Sequence, residues 1–275
     1  MTLFAIKNVS EVRGQFIGAA AGTSSVNLGF ACFSSGHAPC LQQGRKQKMA
    51  EYNEMTISEM YDLSNTIAAE LFKGKTYPWE VLPEIGDFII KLGETLDPNE
   101  YEKKGENVWI AKSAKIAPTA SITGPCIIGK DTEVRPSAFI RGKALVGEGC
   151  VVGNSSELKN VVLFNKVQVP HFNYVGDSIF GFKSHTGAGA VTSNVKQDKT
   201  LVTVNYKGTR VETGLKKFGA MLADNVEVGC NAVLNPGTVV GKHTNIYPLS
   251  FVRGFVPAES IHKNNGELIH KRDDV

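Results

Sequence analysis

The sequence predicts a mainly β protein, a parallel β-helix of hexapeptide repeats with a small N-terminal helical segment, and three observations lead there. Branched apolar residues recur in steps of six at Ile110, Ile116, Ile122, Ile128, Val134, Ile140, Val146, Val152 and Leu158. Four places after the first eight of them stand small residues, Ala114, Ala120, Cys126, Thr132, Ala138, Ala144, Cys150 and Ser156. The register then returns downstream at Leu222, Val228, Leu234, Val240, Ile246 and Val252, with Ala232, Thr238, Thr244 and Ser250 in the small slots. Neither a helix nor an ordinary strand has a period of six. One large and one small inward residue per hexad describe a chain that turns a corner each time, so that three short strands close a triangular coil.

The elements follow in order. Residues 1–48 are rich in Gly, Ser and Ala and carry Lys7, Arg13, Arg45, Lys46 and Lys48 against a single acid, Glu11. That bias resembles an organellar transit peptide, but composition favours a disordered leader or a non-native extension ahead of a start at Met49. Residues 49–104 read as a helical segment and linker. Thr56 and Glu59 are spaced for a capping box, and Ile57, Met60, Tyr61, Ile67, Ala68 and Leu71 share a face before Gly74. A second helix follows "YPWE", with Pro78 near its start and Val81, Ile85, Phe88, Ile89 and Leu92 on one stripe, and "GETLDPNEYEKKGEN" reads as a polar linker.

The β-helix is expected over residues 105–260, with a C-terminal tail over 261–275. Its ladder breaks twice. Around Leu158 to Leu163 one hexad contracts to five residues, and residues 195–218 abandon the period. That excursion holds Lys196, Lys199, Lys207, Arg210, Lys216 and Lys217 against Asp198 and Glu212, a net +4 that suits an anion or a solvated loop.

Composition narrows the function. With 30 Lys plus Arg against 27 Asp plus Glu in 275 residues, the charge of +3 is too small to argue for nucleic acid. No apolar run approaches the roughly 20 residues of a membrane-spanning helix. Five cysteines (Cys32, Cys40, Cys126, Cys150 and Cys230) form no C-x-x-C pair, which argues against a disulfide framework or a thiolate metal site and for a reducing compartment, the cytoplasm. Cys126 and Cys150 fall in small inward slots and read as core filler.

Three stretches stand out from the ladder: "EVRPSAFI", "ELKNVVLFNKVQVPHFNYVGDS" and "GAGAVTSN". In that order and spacing they resemble the acetyltransferase half of the bifunctional glucosamine-1-phosphate N-acetyltransferase and N-acetylglucosamine-1-phosphate uridyltransferase family. The later "NYKGTRVETGLKKFGA" is similar to its archaeal-type members. The resemblance covers about residues 105–260 and implies a left-handed β-helix, a homotrimer with sites between subunits, and acetyl transfer from acetyl-CoA to the amine of an amino-sugar 1-phosphate, with no metal. It implies His171 as general base, Tyr174 and Asn194 on the sugar, and Arg135 and Lys159 on its phosphate. Ala188 would sit by the thioester, and Cys230 and Pro248 in the CoA groove. Two positions depart from the family: His185 stands in place of the usual Asn, and Thr200 in place of a sugar-site Lys, with Lys199 one residue earlier.

The residue types suit that chemistry on their own. An imidazole titrates near neutrality and can take a proton from a sugar ammonium. A phosphate favours paired cations. Glycines around Ala188 let backbone N–H groups approach an oxyanion, and the excursion lysines or Lys271 and Arg272 could meet the phosphates of CoA. Because Asn is tolerated at left-handed corners, Asn194 could equally be structural. About 60 residues of helical segment precede the ladder and "GAAAGTSS" lacks the strand and helix of a nucleotide loop, so sugar-nucleotide synthesis is expected to need a separate uridyltransferase. Two rival readings are a non-catalytic trimeric scaffold or regulatory subunit and a zinc carbonic-anhydrase-like β-helix, the latter needing His171, His185 and His243 to converge.

Overall fold

The computed structural model describes residues 52–272, so the readings of residues 1–48, Cys32 and Cys40 lie outside the described residues. Within them the hexad ladder is a parallel β-helix with three faces. On the first, Cys126 pairs with Ala144 and Ile128 with Val146; on the second, Val134 pairs with Val152; on the third, Ile122 pairs with Ile140. The partners in each pair are three hexads apart, which makes one full coil. From Ile128 to Leu158 every large ladder residue is buried, and Cys126, Thr132, Ala138, Ala144, Cys150 and Ser156 fill the small slots. Burial pushes the thiols of Cys126 and Cys150 up to about 12, as expected of core filler.

From residue 131 to residue 189 each corner is turned by a residue in the left-handed region. Asp131, Ser137, Lys143, Gly149 and Ser155 all have φ between 51° and 63° at intervals of six. Among the described residues no β-branched side chain occupies any such position, because that backbone crowds a branched Cβ. The interval shortens to five at Asn160 and again at Asp177. The coils there are one residue shorter than the regular ones, as in the pairing of Glu157 with Tyr174 and of Val151 with Gln168. The expected contraction near Leu158 is therefore present, and a second follows one coil later. At both places the corner flattens and the chain runs as a single seven-residue strand, Glu157–Leu163 and Tyr174–Phe180.

The excursion sits between Ile179 and Met221, which pair directly. Their separation in sequence exceeds one regular coil by the length of 195–218. It is no loose loop. Thr203–Tyr206 and Thr209–Glu212 form an antiparallel hairpin whose Val204, Tyr206 and Val211 are buried. The polar linker also gains structure: Tyr101–Gly105 pairs antiparallel with Val108–Ala111 and covers the first coil. At the other end Ser260–His262 pairs antiparallel with Leu268–His270, which stops the parallel ladder.

The helical segment departs most from expectation. Its first helix is one turn, Ile57–Met60, ended by an extended Tyr61. The Thr56 side chain caps nothing and instead donates to Asn53 O at 2.8 Å. Single 3-10 turns follow at Leu63–Asn65, Ala69–Phe72 and Pro78–Val81 before the second helix, Ile85–Gly93. Tertiary bonds explain the break. Met60 O accepts from Asp224 N, Asn65 O from Asn165 N, and the Asp62 N–H donates to the Asp224 carboxylate at 2.8 Å, while Tyr61 packs its ring 5.1 Å from that of Phe164. A continuous helix would consume those backbone groups itself.

This segment lies on the first face, whose outward residues Ile127, Leu145, Val162 and Ile179 are fully buried like its inward ones. Each such side chain contributes about 1.5–3 kcal/mol. The second and third faces and the corner between them carry the exposed Phe172, Leu249 and Phe251. Among the described residues no helix is long and apolar enough to cross a membrane.

Two outcomes test this packing. A Cβ on Gly153 would lie 1.5 Å from Pro170 O, so Gly153→Ala should lower the melting temperature sharply, whereas Gly208→Ala, with nothing within 4 Å, should cost only its strained φ of 86°. His262 is 8% exposed and its Nδ1 has no hydrogen-bond partner among the described residues, and burial holds its imidazole below the usual range. A depressed folded-state value favours the neutral ring, so its contribution is present above about pH 6.5, the unfolded value, and is lost as pH falls through the folded one. Melting temperature measured from pH 7 to pH 5 should fall less steeply in His262→Leu than in the parent.

Candidate active site

The corner between the second and third faces stacks one residue of interest per coil. His171 ends the strand Gln168–His171 and sits above Asn154. Its carbonyl accepts from Gly189 N at 3.0 Å, Ala188 O accepts from Asn231 N at 2.8 Å, and Cys230 O accepts from Leu249 N at 2.9 Å. His171, Ala188, Cys230 and Pro248, far apart in sequence, thus form a single column. Glycines permit the close stacking: a Cβ on Gly187 would lie 2.6 Å from Cys230 N, and one on Gly229 2.4 Å from Pro248 N.

Asn173, 2% exposed, pins this corner. Its Oδ1 accepts from His171 N at 3.0 Å, and its Nδ2 donates to Gly187 O at 2.8 Å and to Ala190 O at 3.1 Å. One buried amide therefore fixes both the histidine backbone and the "GAG" turn. The Gly187 and Gly189 amides are spent on Val228 O and His171 O, whereas that of Ala188 donates to no described acceptor. The His171 side chain is exposed and its imidazole makes no hydrogen bond with a described residue.

A second cluster lies across the third face. Asn194 Nδ2 donates to the Tyr174 hydroxyl at 3.2 Å and to the Asp177 carboxylate. Asp177, 5% exposed, also accepts from Asn160 Nδ2 at 2.9 Å and pairs with Lys159 Nζ at 3.3 Å. Asn160 in turn donates to Leu82 O at 3.2 Å, which ties the cluster to the helical segment. Burial pushes the Tyr174 phenol above its ordinary range. Asn194 is not one of the left-handed corner residues, so its side chain and not its backbone accounts for it here.

Three expected partners fall elsewhere. Arg135 lies on the second face against Glu133 at 3.2 Å, while Lys159 is on the third, so one chain does not bring them together. Arg141 stands one coil below Lys159 instead, its N–H bonded to Leu158 O and its guanidinium paired with Glu157 at 2.6 Å. Lys199 is in the left-handed turn that opens the excursion, and Lys271 is spent on His243 O and Asn245 Oδ1, closing the last hairpin. His185 faces Glu227 at 2.8 Å on the second face and His243 turns another corner, so the three histidines do not converge. Asp177, Asn160 and Asn173 escaped sequence reading, although the left-handed interval of five at Asn160 and Asp177 marks two of them.

The family described as GMPPB C-terminal domain matches residues 122–244. "Bifunctional protein GlmU" of Methanococcus vannielii is 40% identical over 121 residues, 44% of this chain and 29% of that protein. The protein of the same name from Methanococcus maripaludis strain S2 is 33% identical over 196 residues, 70% of this chain and 47% of that one. The chain therefore spans less than half the length of these curated relatives. Among solved structures, the acetyltransferase domain of PglB from Neisseria gonorrhoeae in complex with acetyl coenzyme A is 17% identical, with 58% of this chain and 55% of that one covered at a TM-score of 0.29. Over its coil this chain is thus similar to the bifunctional GlmU proteins, the resemblance that the motifs set on its hexad ladder carry.

Proposed function

We propose that the chain is an acetyl-CoA-dependent N-acetyltransferase that acts on an amino-sugar 1-phosphate. The observation that carries this reading is the column of His171, Ala188, Cys230 and Pro248 standing beside the Tyr174–Asn194–Asp177–Lys159 cluster. The likeness to GlmU proteins supports the same substrate class.

In this mechanism the amine lone pair attacks the thioester carbonyl while His171 takes an N–H proton. The free Ala188 N–H donates to the oxyanion. Collapse breaks the C–S bond, and the CoA thiolate leaves with the proton returned by the imidazole. Tyr174 and Asn194 hold the sugar, and Lys159 with Arg141 binds the phosphate, where a forked guanidinium and an ammonium complement each other. Asp177 keeps Lys159 and Asn194 in place before substrate arrives. Arg135 would reach a phosphate only from a neighbouring subunit. A homotrimer gives the site its second wall, and Phe172, Leu249 and Phe251, each more than 60% exposed at or next to the histidine corner, are apolar surface for such contact.

The test is release of CoA thiol from acetyl-CoA across a panel of hexosamine 1-phosphates. His171→Ala should lower kcat by roughly 10² to 10⁴ with little change in KM. Retention of more than about a tenth of parental turnover would remove His171 from the mechanism.

Arg141→Ala should raise KM for the sugar phosphate by roughly 10-fold or more, the loss of one charge-assisted bond, and leave KM for acetyl-CoA unchanged. Cys230 is exposed where Cys126 and Cys150 are buried. Peptide mapping after maleimide treatment should therefore find Cys230 labelled before those two, and acetyl-CoA should slow its labelling. Unslowed labelling at saturating acetyl-CoA would place the donor elsewhere.

A further inference from the structure

The inserted hairpin does more than interrupt the coil. Its strand Thr203–Tyr206 lies against two successive corners of the solenoid, where glycine alone gives room: a Cβ on Gly237 would lie 2.6 Å from Thr203 O, and one on Gly254 2.5 Å from Asn205 O. The hairpin is also clamped from its far side. Tyr206 packs its ring 5.1 Å from Phe255 and 5.3 Å from Tyr52, and its hydroxyl bonds to Glu54. Between this fixed hairpin and the coil lies a pocket of about 250 Å³, lined by Lys196, Thr203, Asn205, Gly208, Arg210, Pro236 and Arg253.

No carboxylate lines that pocket, although three cations do. Lys196 has Asp198 at 3.5 Å, but neither Arg210 nor Arg253 pairs with any described residue. Holding like charges together on a clamped scaffold costs Coulomb energy that the free protein does not recover. Two unpaired guanidinium forks beside an ammonium are the donor set of a phosphate or diphosphate.

A second hollow shares Lys196, Pro236 and Arg253 with the first, takes in Asp198 beside Lys196, and continues over Ser193, Asn235 and Phe251 of the third face. Phe251 stacks on Val233, Val233 on Val191 and Val191 on Tyr174, so this path leads down to the polar cluster. We propose that the pocket of Lys196, Arg210 and Arg253 binds the phosphate or diphosphate end of an extended ligand whose remainder runs along the third face. This assignment does not depend on the transfer reaction proposed above.

Calorimetric titration of the full chain with inorganic pyrophosphate at low salt tests it. Saturable binding is expected in the parent, weakened roughly 10-fold or more by each of Arg210→Ala and Arg253→Ala and reduced by added salt. Both side chains are exposed, so the variants should melt no lower than the parent without ligand, and Arg210→Lys should recover part of the affinity. Competition by 3′,5′-ADP would assign the pocket to the nucleotide end of a CoA-type donor. Competition by glucosamine 1-phosphate alone would assign it to the acceptor. Absence of saturable pyrophosphate binding at millimolar concentration, or equal affinity in the parent and the folded Arg210→Ala and Arg253→Ala variants, would overturn the proposal.

Discussion

Everything in this molecule depends on the turning of corners. Along the regular coils each hexad supplies one residue that accepts the left-handed region and one small side chain that lets the neighbouring strand fold inward. The left-handed conformation costs a non-glycine residue about 1–2 kcal/mol, a cost that recurs at Asp131, Ser137, Lys143 and Ser155 and is offset by burial of the large inward residue of each hexad. Regular stacking leaves no freedom for chemistry. The polar cluster sits where the rule is broken, at the five-residue intervals that end in Asn160 and Asp177. There the corner residues turn a carboxamide and a carboxylate toward each other at 2.9 Å, and Lys159 and Asn194 gather around the carboxylate.

The three faces are chemically unequal for a related reason. Apolar residues on both sides of the first face commit it to a cover, which the 3-10 turns and the helix Ile85–Gly93 supply. That cover reaches the site through the bond from Asn160 to Leu82 O. The second face is lined by charged and polar side chains such as Glu133, Gln168, His185 and Glu227. The histidine column therefore stands at an edge that no described element covers, with exposed aromatic and aliphatic residues beside it.

Asn173 and Asp177 divide the work of fixing these two regions. Both are buried. Asn173 satisfies three backbone groups of the histidine corner, and Asp177 satisfies three side chains of the cluster. Leaving such buried partners unsatisfied costs about 1–3 kcal/mol each, which makes both groups of residues rigid before any ligand arrives.

The sequence by itself determined the coil. Period, inward pair, first contraction and excursion were all legible, because each is a property of consecutive residues and a hexad needs no information from elsewhere in the chain. His171, Tyr174, Lys159 and Ala188 were singled out by the family resemblance of the stretches that contain them, not by the hexad period. What tertiary structure decided lies between coils. The helix expected from Ile57 onward gave way because Met60, Asp62 and Asn65 bond to Asp224 and Asn165, which lie far along the chain. The preference for Arg141 over Arg135 beside Lys159 was likewise hidden, because a shift of one hexad moves a side chain to another face without altering the local pattern. Stacking makes direct neighbours of residues one coil apart, whether that coil is regular, as from Cys126 to Ala144, shortened, as from Glu157 to Tyr174, or lengthened by the excursion, as from Ile179 to Met221. The shortened and lengthened steps follow no fixed period, and they brought the residues of the candidate site together.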